Sequence, residues 1–164
     1  MISEEIVTQT WQRIARSTPQ EAQRYVRQMS QEQPAVLAYL LTMDGDPFNR
    51  NEMGSIIFIA LVVWQIMKQS AQGLRSVPIE AIEQADEANF SFLEQLLTAG
   101  EMDFEAAVVQ MIAEYPEPEV LRYIVEALME EDEEPFRDEY RGLAFVNLKT
   151  VLDAFVASPA RAMS

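Results

Sequence analysis

An uninterrupted apolar run near the middle of the chain leaves few ways for this sequence to fold. From Ile56 to Met67 the only polar residue is Gln65, so a helix formed here is apolar on every side. Such a helix avoids water only when other elements of secondary structure surround it. The run is also well short of the roughly 20 residues that a helix needs to cross a bilayer. The sequence therefore predicts a buried central helix, from about Arg50 to Ala71, and no membrane span.

Helical spacing of apolar residues continues along most of the remaining chain, and no stretch alternates convincingly between apolar and polar residues. Thr18, Pro19 and Glu21 predict a helix start, because Thr18 and Glu21 can form a capping box around Pro19 at the first position. Asp103 is predicted to cap a later helix. Three further starts are predicted at Pro34, Pro78 and Pro118. The chain is thus predicted to be all-α, with about eight helices beginning near residues 3, 19, 34, 50, 78, 104, 118 and 138.

The two halves of the chain resemble each other. A shift of 84 residues aligns helix starts, and a shift of 88 residues aligns the turn 44–48 with 132–136. We predict a tandem duplication of a four-helix unit, about 1–73 and 78–157, packed as one pseudo-two-fold bundle in a single domain, 1–164. The matched glycines are expected where another helix approaches closely. The matched residues include Pro34 with Pro118, Tyr39 with Tyr123, and Gly54 with Gly142.

The composition excludes several kinds of active site. The chain has no cysteine and no histidine, which removes disulfides, zinc sites of the usual kind and the Ser-His-Asp and Cys-His arrangements. It also lacks a phosphate-binding glycine loop and a nucleophile elbow. We therefore predict no catalytic residue, no metal and no cofactor. Because Met1–Glu5 does not resemble the start of a secretory signal, we expect a cytoplasmic protein.

The net charge of -15 is concentrated in the second half of the chain. Residues 1–75 carry seven acidic and seven basic side chains, whereas residues 76–164 carry twenty acidic and five basic ones. This charge disfavours nucleic acids and anionic membranes and is compatible with a basic protein partner, although it also serves solubility. The densest acidic run is a candidate partner-binding site, or else a solvated loop. Its residues are Glu130, Glu131, Asp132, Glu133 and Glu134.

Four arginines on the first two predicted helices suggest a second kind of partner. They recur at helical spacing and could meet the acidic half of another copy, which would give a homo-oligomer. The alternative is a set of exposed charges that pair within the monomer, each contributing little to stability. The four residues are Arg13, Arg16, Arg24 and Arg27.

Three other groups of residues have alternative roles. The turn from Asp44 to Glu52 is rich in oxygen ligands, but Phe48 breaks the EF-hand spacing, so capping is favoured over metal binding. The hydroxyls of Tyr39 and Tyr123 either line a cleft between the halves or belong to packing residues. The polar face of the eighth helix is expected to be exposed or to face a partner. That face carries Asn147, Thr150 and Asp153. Elsewhere in the chain, the other aromatic residues predicted to lie in the core are Trp11, Trp64, Phe58, Phe145 and Phe155.

Two functions fit these patterns. The first is a non-enzymatic interaction or regulatory module that docks a protein through its second half or through the groove between the halves. The second is a helical bundle with a pocket between the repeats that binds a small molecule or a divalent metal, with or without carboxylate-dependent catalysis.

Overall fold

A computed structural model describes residues 1–42, 48–71, 73–99, 101–130 and 137–160, without the side chains of 96–99, 101–105, 138 and 139. Over these residues the chain forms eight α-helices and no β-strand, which confirms the predicted all-α class. The helices are α1 (Glu4–Ala15), α2 (Pro19–Glu32), α3 (Pro34–Leu41), α4 (Arg50–Met67), α5 (Ile79–Ala99), α6 (Glu101–Glu114), α7 (Pro118–Met129) and α8 (Asp138–Val156).

Local signals account for most of the helix starts. Thr18 and Glu21 form the predicted capping box at α2, and a second box joins Asn49 and Glu52 at the start of α4. These side chains satisfy backbone N–H groups that have no partner inside a helix. The predicted cap at Asp103 is wrong, because α6 already begins at Glu101 and includes residue 103.

Helix α4 is the centre of the fold, as its apolar run predicts. Every residue from Ile59 to Met67 is buried, and α4 contacts α1, α2, α7 and α8. Trp64 and Ile66 are completely inaccessible to solvent. Within the described ranges, no helix is both long enough and apolar enough to span a bilayer.

Helix α8 contradicts the prediction of an exposed polar face. It packs against α4, α5 and α7, and Asn147 and Thr150 are only 4% and 0% exposed. The reason is that the facing surface of α5 is also polar: Asn89 Nδ2 donates to Thr150 Oγ1 over 3.1 Å. Buried polar groups are tolerated when they are hydrogen-bonded, so polarity along a helix does not establish exposure.

The matched glycines do not mark close helix contacts. A Cβ built at Gly54 or Gly142 meets no atom within 4 Å, so the prediction of close approach at these positions is wrong. Both lie inside helices, where glycine has an entropic cost relative to alanine.

Gly142→Ala and Gly54→Ala are therefore each expected to raise the free energy of unfolding by about 0.5–1 kcal/mol, since alanine restricts the unfolded chain without a steric clash. Urea unfolding at pH 7 measures this change. A lower free energy of unfolding in either variant would mean that the open space at that glycine is occupied.

Candidate functional site

A cleft of about 900 Å³ lies between α1, α4 and α7. Helix α4 forms its floor at Gly54 and Phe58, with α1 on one side and α7 on the other. The backbone N–H of Ile2, two residues before α1, donates to Glu117 Oε2 over 2.9 Å, which holds this end of the chain close to the start of α7. The cleft therefore lies between residues of the first half of the chain and residues of the second. Its lining is Trp11, Ala15, Asn51, Gly54, Ser55, Phe58, Ile59, Tyr123, Glu126, Ala127, Met129 and Glu130.

Large apolar side chains face solvent at this cleft. Trp11 is 37% exposed and Met129 is 59% exposed. The prediction that Trp11 belongs to the core is wrong; Ala15, Gly54 and Ala127 line the same cleft and are too short to cover an indole. Tryptophan and methionine are enriched where proteins bind partners, so this is an exposed apolar surface of the kind that binding sites use.

Tyr123 supplies a polar group inside the cleft. Its side chain is only 9% exposed, and no residue in the described part of the chain hydrogen-bonds to its hydroxyl. Burial, and secondly the negative charge of Glu130, raise the pKa of Tyr123 well above its usual value. The hydroxyl is therefore a neutral donor at ordinary pH. Tyr123 is thus both a packing residue and a cleft residue, which are the two roles that its sequence context suggests.

The candidate acidic site is only partly within the described residues. Glu130 is exposed immediately after α7 and lines the cleft together with Glu126, four residues earlier on the same face. Glu131, Asp132, Glu133 and Glu134 lie outside the described residues. The structure therefore brings one member of the run to the cleft.

The arginines of α1 and α2 remain solvent-accessible. Arg13, Arg16, Arg24 and Arg27 are all exposed, and among the described residues none of them forms an ion pair. The alternative in which they pair within the monomer is therefore not seen in this part of the chain.

The oxygen-rich turn before α4 serves a structural purpose where it is described. Asp44 and Asp46 lie outside the described residues, and Asn49 caps α4. Glu52 is 2% exposed and pairs with Arg137, whose Nη2 lies 2.6 Å from Glu52 Oε1. Over the described ranges, no group of three or more acidic side chains is arranged to hold a metal ion.

The structure adds a second polar site, at the interface of α5 and α8. Asp153 accepts hydrogen bonds from Lys149 Nζ (2.8 Å), Asn89 Nδ2 (2.9 Å) and the Tyr115 hydroxyl. Burial, and then the charge of Asp153, raise the pKa of Tyr115 far above its ordinary value. A pocket of about 370 Å³ opens beside this cluster. The sequence feature that could have revealed this site is the spacing of polar residues three apart on both helices, at 86 and 89 on α5 and at 147, 150 and 153 on α8.

Tyr39 belongs to the same interface and not to the cleft. Its hydroxyl donates to Asp86 Oδ1 over 2.6 Å and lies 3.0 Å from the side-chain amide of Asn147. Burial, followed by the hydrogen bond to Asp86, raises the pKa of Tyr39 well above its usual range. The matched tyrosines of the two halves therefore have different surroundings.

The geometry of the cleft between α1, α4 and α7 indicates what this site can do. The cleft combines exposed apolar groups, two carboxylates and one phenol donor, which suit binding. The chain matches no known protein family, no curated protein and no solved structure.

Proposed function

We propose that this protein is a non-enzymatic interaction module that docks a basic, amphipathic helix of a partner protein in the cleft between α1, α4 and α7. The observation that carries the proposal is the exposure of Trp11 and Met129 beside the carboxylates of Glu126 and Glu130. A basic amphipathic helix supplies both complementary surfaces, apolar and cationic.

The apolar surface provides the affinity. Trp11 on one wall and Met129 on the other face an aromatic floor at Phe58. Burying apolar side chains contributes about 25 cal/mol per Å², and aromatic anchors dominate binding energies at interfaces. Methionine adapts its shape to the partner, so this surface suits a row of leucine-type side chains.

The charge of the cleft selects a basic partner. Glu126 and Glu130 form the acidic side of the cleft, and the chain continues into four more acidic residues. Rim charges of this kind accelerate association with a cationic partner, and their effect weakens as salt screens them. Anionic partners are repelled by the same field, consistent with a net charge of -15.

The shape favours a helix over an enclosed small molecule. A volume of about 900 Å³ is near the upper end of the roughly 300–1,000 Å³ found for ligand pockets. Such pockets enclose most of their ligand, whereas here Trp11 and Met129 are open to solvent. Helices that dock in grooves place side chains at i, i+3, i+4 and i+7 along such a surface.

Blocking the floor tests the proposal. The probe is a tryptophan-free, amphipathic helical peptide of leucine and lysine, and its binding is followed by the fluorescence of Trp11. Gly54→Leu places a side chain in the cleft and is expected to weaken binding at least tenfold. Gly142→Leu is the matched control, because Gly142 is also helical with open space at its Cβ, and it should bind like the wild type. Equal peptide affinity in both glycine variants would contradict docking in this cleft. The same would follow if the peptide changed the fluorescence of Trp11→Phe, in which only Trp64 remains, as much as it changes that of the wild type.

Neutralising the acidic side chains separates the electrostatic contribution to peptide binding from the apolar one. Glu126→Gln with Glu130→Gln should weaken peptide binding and reduce its salt dependence. Glu83→Gln with Glu87→Gln removes an exposed pair of the same spacing from α5 and should have little effect. An equal loss in both double variants would mean that net charge, and not the cleft, attracts the peptide.

Two other occupants are outcomes of the same experiments. A small molecule in this cleft would raise the melting temperature of the wild type and not of Gly54→Leu. Self-association through the exposed arginines of α1 and α2 would give a mass that falls as salt is added. Either result, without peptide binding, would replace the proposed partner.

We also propose that the two halves descend from one duplicated four-helix unit and that the protein works in the cytoplasm. Pro34 and Pro118 both open helices, α3 and α7, and a Cβ at either Gly54 or Gly142 would meet no atom within 4 Å. These matches support a common origin. The absence of cysteine suits a reducing compartment.

A further inference from the structure

A second pocket, of about 370 Å³, lies between α5, the end of α6 and α8. Its walls are apolar, with Phe92 on α5 and Met111 on α6, while Asn89 and Lys149 contribute polar atoms. Asn89 is 4% exposed and the side chain of Lys149 is 14% exposed. Apolar walls with a few converging polar groups are the usual make-up of a small-molecule site.

Lys149 has one hydrogen-bond donor to spare. Its ammonium group donates to Asn89 Oδ1 over 2.9 Å and to Asp153 Oδ2 over 2.8 Å, and an ammonium group has three N–H donors. No described residue accepts the third. The centre of the Tyr115 ring lies 5.5 Å from Nζ. The ring stabilises the positive charge by a cation–π interaction and does not accept a conventional hydrogen bond. An acceptor in the pocket would complete the coordination of this ammonium group.

The neighbouring polar groups have little capacity left. Asn89 Nδ2 already donates to Thr150 and Asp153, and Asp153 already accepts from three donors. The hydroxyl of Tyr115 donates to Asp153. The pocket therefore offers a ligand one strong donor, from Lys149.

The charges around the pocket favour a neutral ligand. The positive charge of Lys149 is balanced by Asp153, and Glu114 at the same pocket adds a negative charge. An anionic ligand would be repelled by Glu114. A cationic group placed against Lys149 would be repelled by its ammonium group and would have no atom to accept the free N–H. A carbonyl oxygen on an uncharged molecule satisfies both conditions.

We propose that this pocket binds a small, neutral molecule with a planar apolar body and a carbonyl oxygen that accepts the third N–H of Lys149. The volume is at the lower end of the roughly 300–1,000 Å³ range of ligand sites, which fits a single-ring compound. This site is separate from the cleft between α1, α4 and α7 and does not depend on its occupant.

Three probes of nearly equal shape test the proposal: benzamide is neutral, benzoate is negative and benzamidinium is positive without an acceptor. Binding to the full chain is followed by amide chemical shifts in NMR titrations. We expect benzamide to shift the amides around Asn89, Met111 and Lys149 with a dissociation constant on the order of 1 mM. Benzoate is expected to bind at least tenfold more weakly. Benzamidinium, which can pair with Glu114 but cannot accept from Lys149, is expected to bind equally well to the wild type and to Lys149→Met.

Variants locate the site. Ala88 is exposed at the pocket, so Ala88→Leu fills it and should abolish benzamide binding, whereas Gln84→Leu, one turn earlier and also exposed, should not. Lys149→Met keeps the stem without the donor and should weaken binding about tenfold. Gly54→Leu, which blocks the other cleft, should leave benzamide binding unchanged. The proposal is overturned if benzamide shifts no amide at the pocket, if benzoate binds as tightly, or if Ala88→Leu has no effect.

Discussion

Glu52→Gln is expected to lower the free energy of unfolding by about 3 kcal/mol at pH 7. Glu52 is buried at 2% exposure and accepts from the backbone N–H of Asn49 and from the backbone and side chain of Arg137. It therefore connects the start of α4 to the start of α8, 85 residues later. Glutamine removes the charge and one acceptor oxygen from this junction, and urea unfolding measures the loss.

The stabilisation by the ionised carboxylate of Glu52 is also expected to depend on pH. The hydrogen bonds from the Arg137 side chain, opposed by burial and reinforced by the backbone N–H groups of Asn49 and Arg137, lower the pKa of Glu52 from 4.5 to about 2. Because the pKa is lower in the folded state, the stabilisation is complete above the unfolded value of 4.5 and is lost as the pH falls towards about 2. The difference between wild type and Glu52→Gln should therefore shrink across this interval.

Glu119→Gln is the matched control for this prediction. Glu119 also accepts two hydrogen bonds from an arginine, Arg122. The Glu119 side chain, however, is 24% exposed, against 2% for Glu52, and the pair lies within one helix. Exposed pairs of this kind contribute about 0–1 kcal/mol. If the two variants lost equal stability, or if the loss in Glu52→Gln did not change with pH, the junction would not have the assigned role.

Features that depend on nearby residues were predictable from the sequence. The box at Thr18 and Glu21 and the helix starts at Pro34 and Pro118 follow from backbone geometry within one turn. The central position of α4 follows from its apolar circumference. In contrast, Arg137 could not be identified as the partner of Glu52, because no local pattern connects residues so far apart.

The candidate site shows the same division. Tyr123 and Glu130 stand out in the sequence through the proposed repeat and the acidic run, and both line the cleft. The exposure of Trp11 could not be predicted, because an aromatic residue on an apolar face is covered only if its neighbours are large enough. Small residues opposite it, including Gly54, leave the cleft open. The sizes of facing residues depend on tertiary packing, which periodicity does not describe.

The polar face of α8 required knowledge of its partner helix. Asn147, Thr150 and Asp153 have the spacing of a solvent-exposed stripe, yet they meet a second polar stripe on α5. Asn89 bonds to Thr150 and Asp153 directly, and Asp86 is linked to Asn147 through the Tyr39 hydroxyl. Either stripe alone indicates a surface. Together they form a buried hydrogen-bonded interface, which fixes how two helices align more strictly than apolar contacts do.

Asp153→Ala is expected to cost about 3 kcal/mol of stability, because one charged donor and two neutral donors each lose a hydrogen bond in a largely buried interface. The ammonium of Lys149 loses its counter-ion but keeps Asn89 Oδ1, and the amide of Asn89 keeps Thr150. The hydroxyl of Tyr115 loses the one acceptor that it has among the described residues. Chemical denaturation at pH 7 measures the loss. Tyr39→Phe, at the same interface, removes one neutral hydroxyl that bonds to Asp86 and Asn147 and should cost less, about 1–2 kcal/mol.

A double variant distinguishes the loss of the counter-ion of Lys149 from a general packing defect. Removing the ammonium group from Asp153→Ala by adding Lys149→Met eliminates the unpaired charge while keeping most of the side-chain volume. Since an uncompensated buried charge is the main cost of breaking such a pair, the double variant should be more stable than Asp153→Ala alone. If it were less stable, the two losses would be adding as independent packing defects, and Lys149 and Asp153 would not form an energetically coupled pair.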